Sequence, residues 1–187
     1  MRAITIVDYD PAWPAAFERL RAEIVTRLGD LVLEIAHIGS TAVPGLCAKP
    51  KIDIDAVGRS ESAGAEAVAR MQAFDYAFHG DRYDNRMWSF TRDHGAYGER
   101  LYLCAPGHPV HTERVRFRDF LRAHPEAAAE YGALKRRLAA QANGDWDIYT
   151  GGKTGFVAEI LRCSALLPET DRTDSDGVAE SAAEQPT

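Results

Sequence analysis

The stretch "HIGSTAVPGLCAKPKIDID", residues 37–55, decides the fold, because it joins a tight turn to a strand that carries two acidic side chains. "LVLEIAHI", which runs into it, is rich in β-branched and other apolar residues and predicts a strand that ends at Gly39-Ser40. "KIDIDAVG" predicts a second strand. We therefore expect Gly39-Ser40 and the pair Asp53 and Asp55, which 12 residues separate, to lie on adjacent strands.

The two aspartates are expected on one face of their strand, because side chains alternate between faces, with Ile52 and Ile54 on the other. Residues two apart on a strand lie about 6.5–7 Å from each other. Two carboxylates at that spacing can hold one Mg²⁺ or a pair of metal ions, and a cation removes their mutual repulsion. The same pattern also fits an ordinary strand with one face in water.

The turn suggests an anion site beside these acids. A strand that turns at Gly39-Ser40 into a helix presents backbone N–H groups and a hydroxyl, which suit phosphate. Thr41 would add a hydroxyl or cap the helix, and His37 would contact substrate or hold the turn through a hydrogen bond. Lys49 is a candidate phosphate contact, whereas Lys51 is expected to be solvated.

Composition and charge narrow the class of protein. The 187 residues are 45% hydrophobic and carry a net charge of -6, of which residues 168–187 supply -5. Residues 1–167 are therefore near neutral and predict one folded domain without a basic face for duplex nucleic acid, followed by an acidic disordered tail. Three scattered cysteines, no signal peptide and no apolar run of membrane-spanning length favour a cytoplasmic protein that contacts no membrane.

The rest of the chain predicts an α+β (α/β) fold, with a small mixed sheet in the first half and a helical C-terminal half. Residues 4–10 form a short strand or an extended arm in this prediction. Further strands are expected over 74–80, 86–93 and 99–106. Helices are expected over 11–30, 63–72, 111–124, 125–141 and 150–167.

The combined motifs resemble the nucleotidyltransferase superfamily that includes DNA polymerase β, through Ile38-Gly39-Ser40 and Asp53-Ile54-Asp55-Ala56. More closely, "HIGSTAVPGLCAKPKIDI" resembles the GrpB (UPF0157) family. The resemblance extends over "VDYDPAWPAAFE", "FRDFLRAHPEAAAEYGALKRRLA" and "YTGGKTGFV", and covers about residues 5–163.

This resemblance implies a nucleotidyltransferase-like fold and an enzyme that transfers a nucleotidyl group from an NTP to a small-molecule acceptor. Asp53 and Asp55 would then be catalytic and bind Mg²⁺, or Mn²⁺ in its place. Gly39, Ser40 and Thr41 would meet the triphosphate. Lys153 matches the family's lysine in a "YTEAK"-like motif and would contact phosphate, although "GG" replaces "EA".

The chain departs from the family pattern at a strand that usually carries His-x-His, where Arg100 and Tyr102 stand instead. The superfamily's third metal carboxylate is also not identifiable, with Asp93 and Glu99 as candidates by location. These departures favour an alternative function, a regulatory module that binds a nucleotide or metabolite without turnover. Activation of a carboxylate as an acyl-adenylate is a third hypothesis.

Two further clusters, one of histidines with a glutamate and one of arginines, are predicted to lie at the surface. His108, His111 and Glu113 have a spacing that a metal site could use, but a surface position is favoured. Four arginines on one predicted helix are interleaved with acids, which favours a solvated face. They are Arg114, Arg116, Arg118 and Arg122.

Overall fold

The computed structural model describes residues 4–82, 84–94 and 96–166. The predicted acidic tail, residues 168–187, lies outside them. Within the described residues five strands form a single sheet in the order β1-β2-β5-β4-β3. They are β1 (Val32–Ile38), β2 (Lys51–Gly58), β3 (Ala77–Phe78), β4 (Met87–His94) and β5 (Tyr97–Cys104).

The sheet is mixed because β2 runs parallel to β5, whereas its other neighbour, β1, and the remaining pairs are antiparallel. Ile38 is opposite Asp53 in the β1–β2 register, and Arg100 is opposite Asp53 in the β2–β5 register. The predicted adjacency of the turn and the twin aspartates is therefore confirmed. It follows directly from the antiparallel return of the chain through the connector 43–50.

The helices divide between the two faces of the sheet. They are α1 (Trp13–Leu28), α2 (Glu61–Met71), α3 (Pro109–Ala123), α4 (Pro125–Ala142), α5 (Trp146–Gly151) and α6 (Thr154–Leu166). Helices α1 and α2 pack on the face of Ile52 and Ile54, both fully buried, and complete the main hydrophobic core. Helix α3 lies over the opposite face, the face of Asp53 and Asp55, through the contacts described below.

The α+β class and the helical C-terminal half are as predicted, with two local differences. Residues 4–10 form no strand, only an isolated bridge between Val7 and Ala48, so the extended-arm alternative is the one observed. The helix expected over 150–167 is divided between α5 and α6 at Gly152. An added Cβ at Gly152 would lie 2.4 Å from Leu138 Cδ2, so the break lets the backbone approach α4 closely.

In the part of the chain that the structure describes, no helix combines the length and the apolar composition that a bilayer crossing needs. The same described residues hold three cysteines that form no disulfide.

Candidate functional site

The turn after β1 places the backbone directly against Asp53. Gly39 has φ 74° and ψ -171°, a conformation that is essentially restricted to glycine. An added Cβ would lie 2.9 Å from Asp53 Oδ2. Ser40–Ala42 then forms a single 3-10 turn where the sequence suggested a helix, so Ser40 lines the pocket without a full helix behind it.

Replacement of Gly39 by alanine is expected to lower the free energy of unfolding by about 2 kcal/mol, from backbone strain and the contact with Asp53. Chemical denaturation measures the loss. Gly45→Ala is the matched control, because Gly45 also has a positive φ (77°) but no atom within 4 Å of an added Cβ. We expect a smaller loss there, and an equal loss in both variants would mean that the contact with Asp53 contributes nothing.

His37 and Thr41 are bonded to each other inside the turn. His37 Nε2 lies 3.0 Å from Thr41 Oγ1, and that hydroxyl donates to Lys51 O at 3.3 Å. Because the hydroxyl has one proton to give, His37 Nε2 donates to Thr41. Burial lowers the pKa of His37 to about 4, helped by Arg122 and Arg118, so its ring is neutral near pH 7. Both side chains thus link β1, the turn and β2.

Asp55 is fully buried beneath α3 and both of its oxygens have partners. Arg114 Nη1 donates to Oδ1 at 2.8 Å, and His111 Nδ1 lies 3.0 Å from Oδ2. The hydrogen bond with Asp55 raises the pKa of His111, which favours its charged, doubly protonated form. Asp55 is therefore the anchor of two cationic side chains from α3.

Asp53 is half-buried and faces the pocket beside the turn. Burial raises the pKa of its carboxyl, while Arg100 and Lys49 act in the opposite direction. Arg100 is its partner across the β2–β5 register. It stands at one of the two positions where the family pattern has His-x-His. The carboxylate thus lies among cations rather than beside a second free acid.

This arrangement does not fit a Mg²⁺ centre built on both aspartates. Mg²⁺ prefers an octahedron of oxygens, and Asp55 already has a guanidinium on one oxygen and an imidazole on the other. Throughout residues 4–82, 84–94 and 96–166, no group of three His, Cys, Asp or Glu side chains is placed to hold a metal ion.

Neither candidate for a third carboxylate joins Asp53. Glu99 points to the opposite face of the sheet, where its Oε2 accepts hydrogen bonds from Tyr76 Oη and Arg92 Nε, both at 2.8 Å. Asp93 is exposed at the end of β4 and lies 3.8 Å from Lys51 Nζ. Lys51, expected to be solvated, is therefore in a surface ion pair at the rim of the pocket.

A cavity of about 300 Å³ opens beside the turn and Asp53. We call this cavity the cationic pocket. Its lining carries six basic side chains and one carboxylate, that of Asp53. The basic residues are Lys49, Lys51, Arg100, Arg114, Lys135 and Lys153. Aromatic rings of α3, α4 and α5 line the same cavity, so it combines positive charge with an apolar wall.

Lys49 and Lys153 converge on the ring of Tyr149. Lys49 Nζ lies 5.2 Å from the centroid of that ring, and Lys153 Nζ lies 4.3 Å from it. Lys49 Nζ also lies 4.4 Å from the centroid of the Trp146 ring. Burial, together with the positive charge of Lys153, lowers the pKa of Lys49 to about 8. The two amines repel each other electrostatically, and an anion bound near both would relieve that repulsion.

A second cavity, of about 340 Å³, lies on the opposite face of the sheet. Its main charged residues neutralise one another, because Arg92 bonds Glu23 at 2.8 Å and Glu99 at 2.8 Å. It therefore offers a ligand much less unbalanced charge than the cationic pocket.

The sequence interpretation missed several of these residues. Arg114, Arg118 and Arg122 were assigned to a solvated face, but they bond Asp55, His37 O and Ala42 O respectively. His108 and His111 were expected at the surface and are buried, with His108 Nε2 2.7 Å from Asn85 O. Lys135 carried no sequence signal beyond its place in the stretch that resembles GrpB.

Comparison with known proteins decides the family. Residues 3–162 match the model of the family described as GrpB protein. The chain belongs to the GrpB family. A relative named UPF0157 protein from Deinococcus radiodurans is 37% identical to this GrpB protein over 161 residues, which are 86% of this chain and 82% of the relative.

Two other comparisons place this GrpB protein among structures and longer chains. The crystal structure of conserved protein GrpB from Enterococcus faecalis superimposes with a TM-score of 0.77 at 25% identity, over 86% of this chain and 96% of that one. A protein of Mycolicibacterium paratuberculosis named dephospho-CoA kinase is 30% identical over 184 residues. That match covers 85% of this chain but only 45% of the kinase, so the two are similar over less than half of the longer protein.

Proposed function

We propose that this GrpB protein binds a phosphate-rich nucleotide, or a related phosphorylated metabolite, in the cationic pocket without needing a divalent metal. The observation that carries the proposal is the composition of the lining, which has six basic side chains and the single carboxylate of Asp53 and keeps an excess of cations even when Lys135 is neutral. A polyphosphate is the common biological anion that matches several closely spaced cations, and charge-assisted hydrogen bonds to it are strong.

The contributions of the pocket divide by element. Gly39-Ser40 would supply backbone N–H groups and a hydroxyl at the turn. Lys49 and Lys153 supply the amines that the Tyr149 ring holds together. Arg114, oriented by Asp55 and by the face of Tyr102 at 3.9 Å, lines the pocket near Asp53. A fixed guanidinium would there neutralise phosphate in place of Mg²⁺.

Isothermal titration calorimetry with ATP, GTP, CTP, UTP and dephospho-CoA tests this function. Dephospho-CoA is included because a relative carries that substrate in its name. Each titration is run once with EDTA and once with excess MgCl₂. We expect binding in EDTA that is at least as tight as in Mg²⁺, because the metal lowers the charge of the ligand and adds a cation to a positive pocket. Binding that requires Mg²⁺ would contradict the proposal.

Nucleotidyl transfer is the second candidate, and the position of Asp53 favours it. Its carboxylate lies against the phosphate-like turn in the same pocket, and burial raises the pKa of the carboxyl. Such a group could take the proton of an acceptor hydroxyl as the oxygen attacks the α-phosphorus of an NTP and pyrophosphate leaves. Pyrophosphate release measured with a panel of small acceptors, with and without Mg²⁺, distinguishes this enzyme from a module that only binds.

Ligand affinity is expected to fall as the pH rises above about 8, because the phosphate needs protonated Lys49, whose pKa is about 8. The contribution of Lys49 is fully present below that pKa, and its loss approaches about tenfold in affinity per pH unit above it. Titrations between neutral pH and the alkaline range measure the slope. Lys49→Arg is the matched control, since a guanidinium stays charged throughout. A slope that persists unchanged in Lys49→Arg would assign the titration to another group.

A further inference from the structure

The distribution of lysine in this chain is unusual. Of the 22 basic residues only four are lysines, and all the others are arginines. All four lysines, Lys49, Lys51, Lys135 and Lys153, line the cationic pocket. Arginine serves every other basic position in the chain, so charge alone does not explain the choice. A lysine differs from arginine in that its amine can lose a proton and act as a nucleophile.

Lys135 is the most enclosed of the four. It lies on α4 with 2% of its surface exposed, and its side chain contributes to the wall of the pocket. Its Nζ donates a hydrogen bond to Cys47 O and lies 4.8 Å from the centroid of the Tyr131 ring. In the described part of the chain, no carboxylate lies within ion-pair distance of it. The amine is therefore fixed in place by a carbonyl and a ring, without a counter-ion.

The surroundings of Lys135 favour the uncharged amine. Burial lowers the pKa of Lys135 to about 7, and the positive charges of Lys153, Arg136 and Lys49 act in the same direction. Cys47 acts in the opposite direction. A neutral amine keeps an N–H for Cys47 O and still has a free lone pair. A desolvated lysine beside other cations is a known way of activating an amine for attack on a carbonyl.

We propose that Lys135 is a reactive amine that forms an imine with the aldehyde of a phosphorylated ligand held in the cationic pocket. The lone pair of Nζ attacks the carbonyl carbon and forms a C–N bond. The carbonyl oxygen then leaves as water, carrying the two protons of the amine, and the C=N bond remains. No oxidant, reductant or metal is needed. The proposal rests on the proposed function for the phosphate grip and adds a covalent link to a defined class of ligand.

The test uses pyridoxal 5′-phosphate as the probe, at limiting concentration and neutral pH, with the full chain. Borohydride reduces any imine to a stable secondary amine, and peptide mass spectrometry locates it. Arg162→Lys provides a reference, because it places an ordinary amine at an exposed site of α6, where the side chain of Arg162 is 66% exposed. We expect the peptide of Lys135 to be labelled at least about tenfold more than the peptide with residue 162.

The pH dependence of labelling gives a readout that a purely structural lysine would not show. The rate at Lys135 is expected to level off above about pH 7, the pKa of its amine, while the rate at the exposed reference continues to rise. Lys135→Met should abolish the adduct, and Lys135→Arg should do the same because a guanidinium stays protonated and has no nucleophilic lone pair. Circular dichroism of both variants shows whether they fold, and the wild-type peptide map decides the question if they do not.

Pyridoxal without phosphate separates this proposal from the proposed function. If pyridoxal 5′-phosphate labels Lys135 preferentially and pyridoxal does not, both the reactive amine and the phosphate grip are supported. Equal labelling by both probes supports the reactive amine and contradicts the phosphate grip. Binding of the phosphorylated probe without any reducible adduct at Lys135, or an adduct at Lys49 or Lys153 instead, overturns the assignment of Lys135 and leaves the phosphate grip supported.

Discussion

Replacement of Asp55 by asparagine is expected to lower the free energy of unfolding by about 3 kcal/mol, because it removes the charge that Arg114 and His111 share. Asp55 is fully buried, so water cannot replace the lost interaction. Urea denaturation followed by circular dichroism measures the change. The effect is large because both partners come from α3, and their loss weakens the docking of that helix on the sheet.

Asp53→Asn is the matched control, with the same chemical change two residues earlier on the same face of β2. We expect no loss of stability there, because burial already disfavours the charged form of Asp53 and raises the pKa of its carboxyl. If Asp55 were instead a metal ligand, Asp55→Asn would leave stability unchanged or improved and abolish a Mg²⁺-dependent activity. That outcome would contradict the anchoring role and restore the interpretation made from the sequence.

The double replacement Lys49→Met and Lys153→Met is expected to weaken binding of a nucleoside triphosphate by at least about 100-fold, since each charge-assisted hydrogen bond contributes about 1.5–3 kcal/mol and two are lost. The two amines converge on the ring of Tyr149, so they are expected to contact the same phosphate group. Calorimetry in EDTA measures the loss. Stability is expected to rise slightly, because the mutual repulsion of the amines disappears.

The control removes the same net charge from exposed helix surfaces, through Arg70→Met together with Arg162→Met. Those side chains form surface pairs within their own helices, which contribute little to stability. Binding should stay within about twofold of the original at physiological salt, because exposed charges beyond a Debye length are screened. A comparable loss in the control would mean that general attraction between protein and ligand, and not the pocket, governs the affinity.

The sequence was sufficient for the local part of the site. The alternation of Ile and Asp predicted which side chains share a face of β2. The apolar strand before Gly39 predicted that the turn lies beside β2, as observed. These features depend on residues close together in the chain, where period and turn chemistry carry the information. The reason for the glycine came from the structure alone, where an added Cβ would lie 2.9 Å from Asp53 Oδ2.

The cationic side of the site could not be predicted because it depends on how helices rotate against the sheet. Arg114, Arg118 and Arg122 recur every four residues along α3, a spacing that fits a wet face as well as a face turned toward polar groups of β1 and the turn. The charge pattern alone could not show whether this face of α3 is solvated or packs on the sheet, since the acidic partner, Asp55, is 59 residues away from Arg114. The enclosure of Lys135 likewise arises from a contact with Cys47, 88 residues earlier.

The contacts that link Asp55 to Arg114 and Cys47 to Lys135 have a consequence for the order in which the molecule folds. The turn and the two strands of residues 32–58 can form early, because their ends meet after a short excursion of the chain. The pocket closes only when residues from 100 onward return to that hairpin, which requires long loops and therefore a larger loss of chain entropy. Asp55 is thus expected to be in place before its partners on α3, Arg114 and His111, arrive. Before α3 and α4 dock, the carboxylate of Asp55 is expected to face water, where its charge costs little free energy. The docking of α3 and α4 then converts the two-stranded hairpin into a binding site.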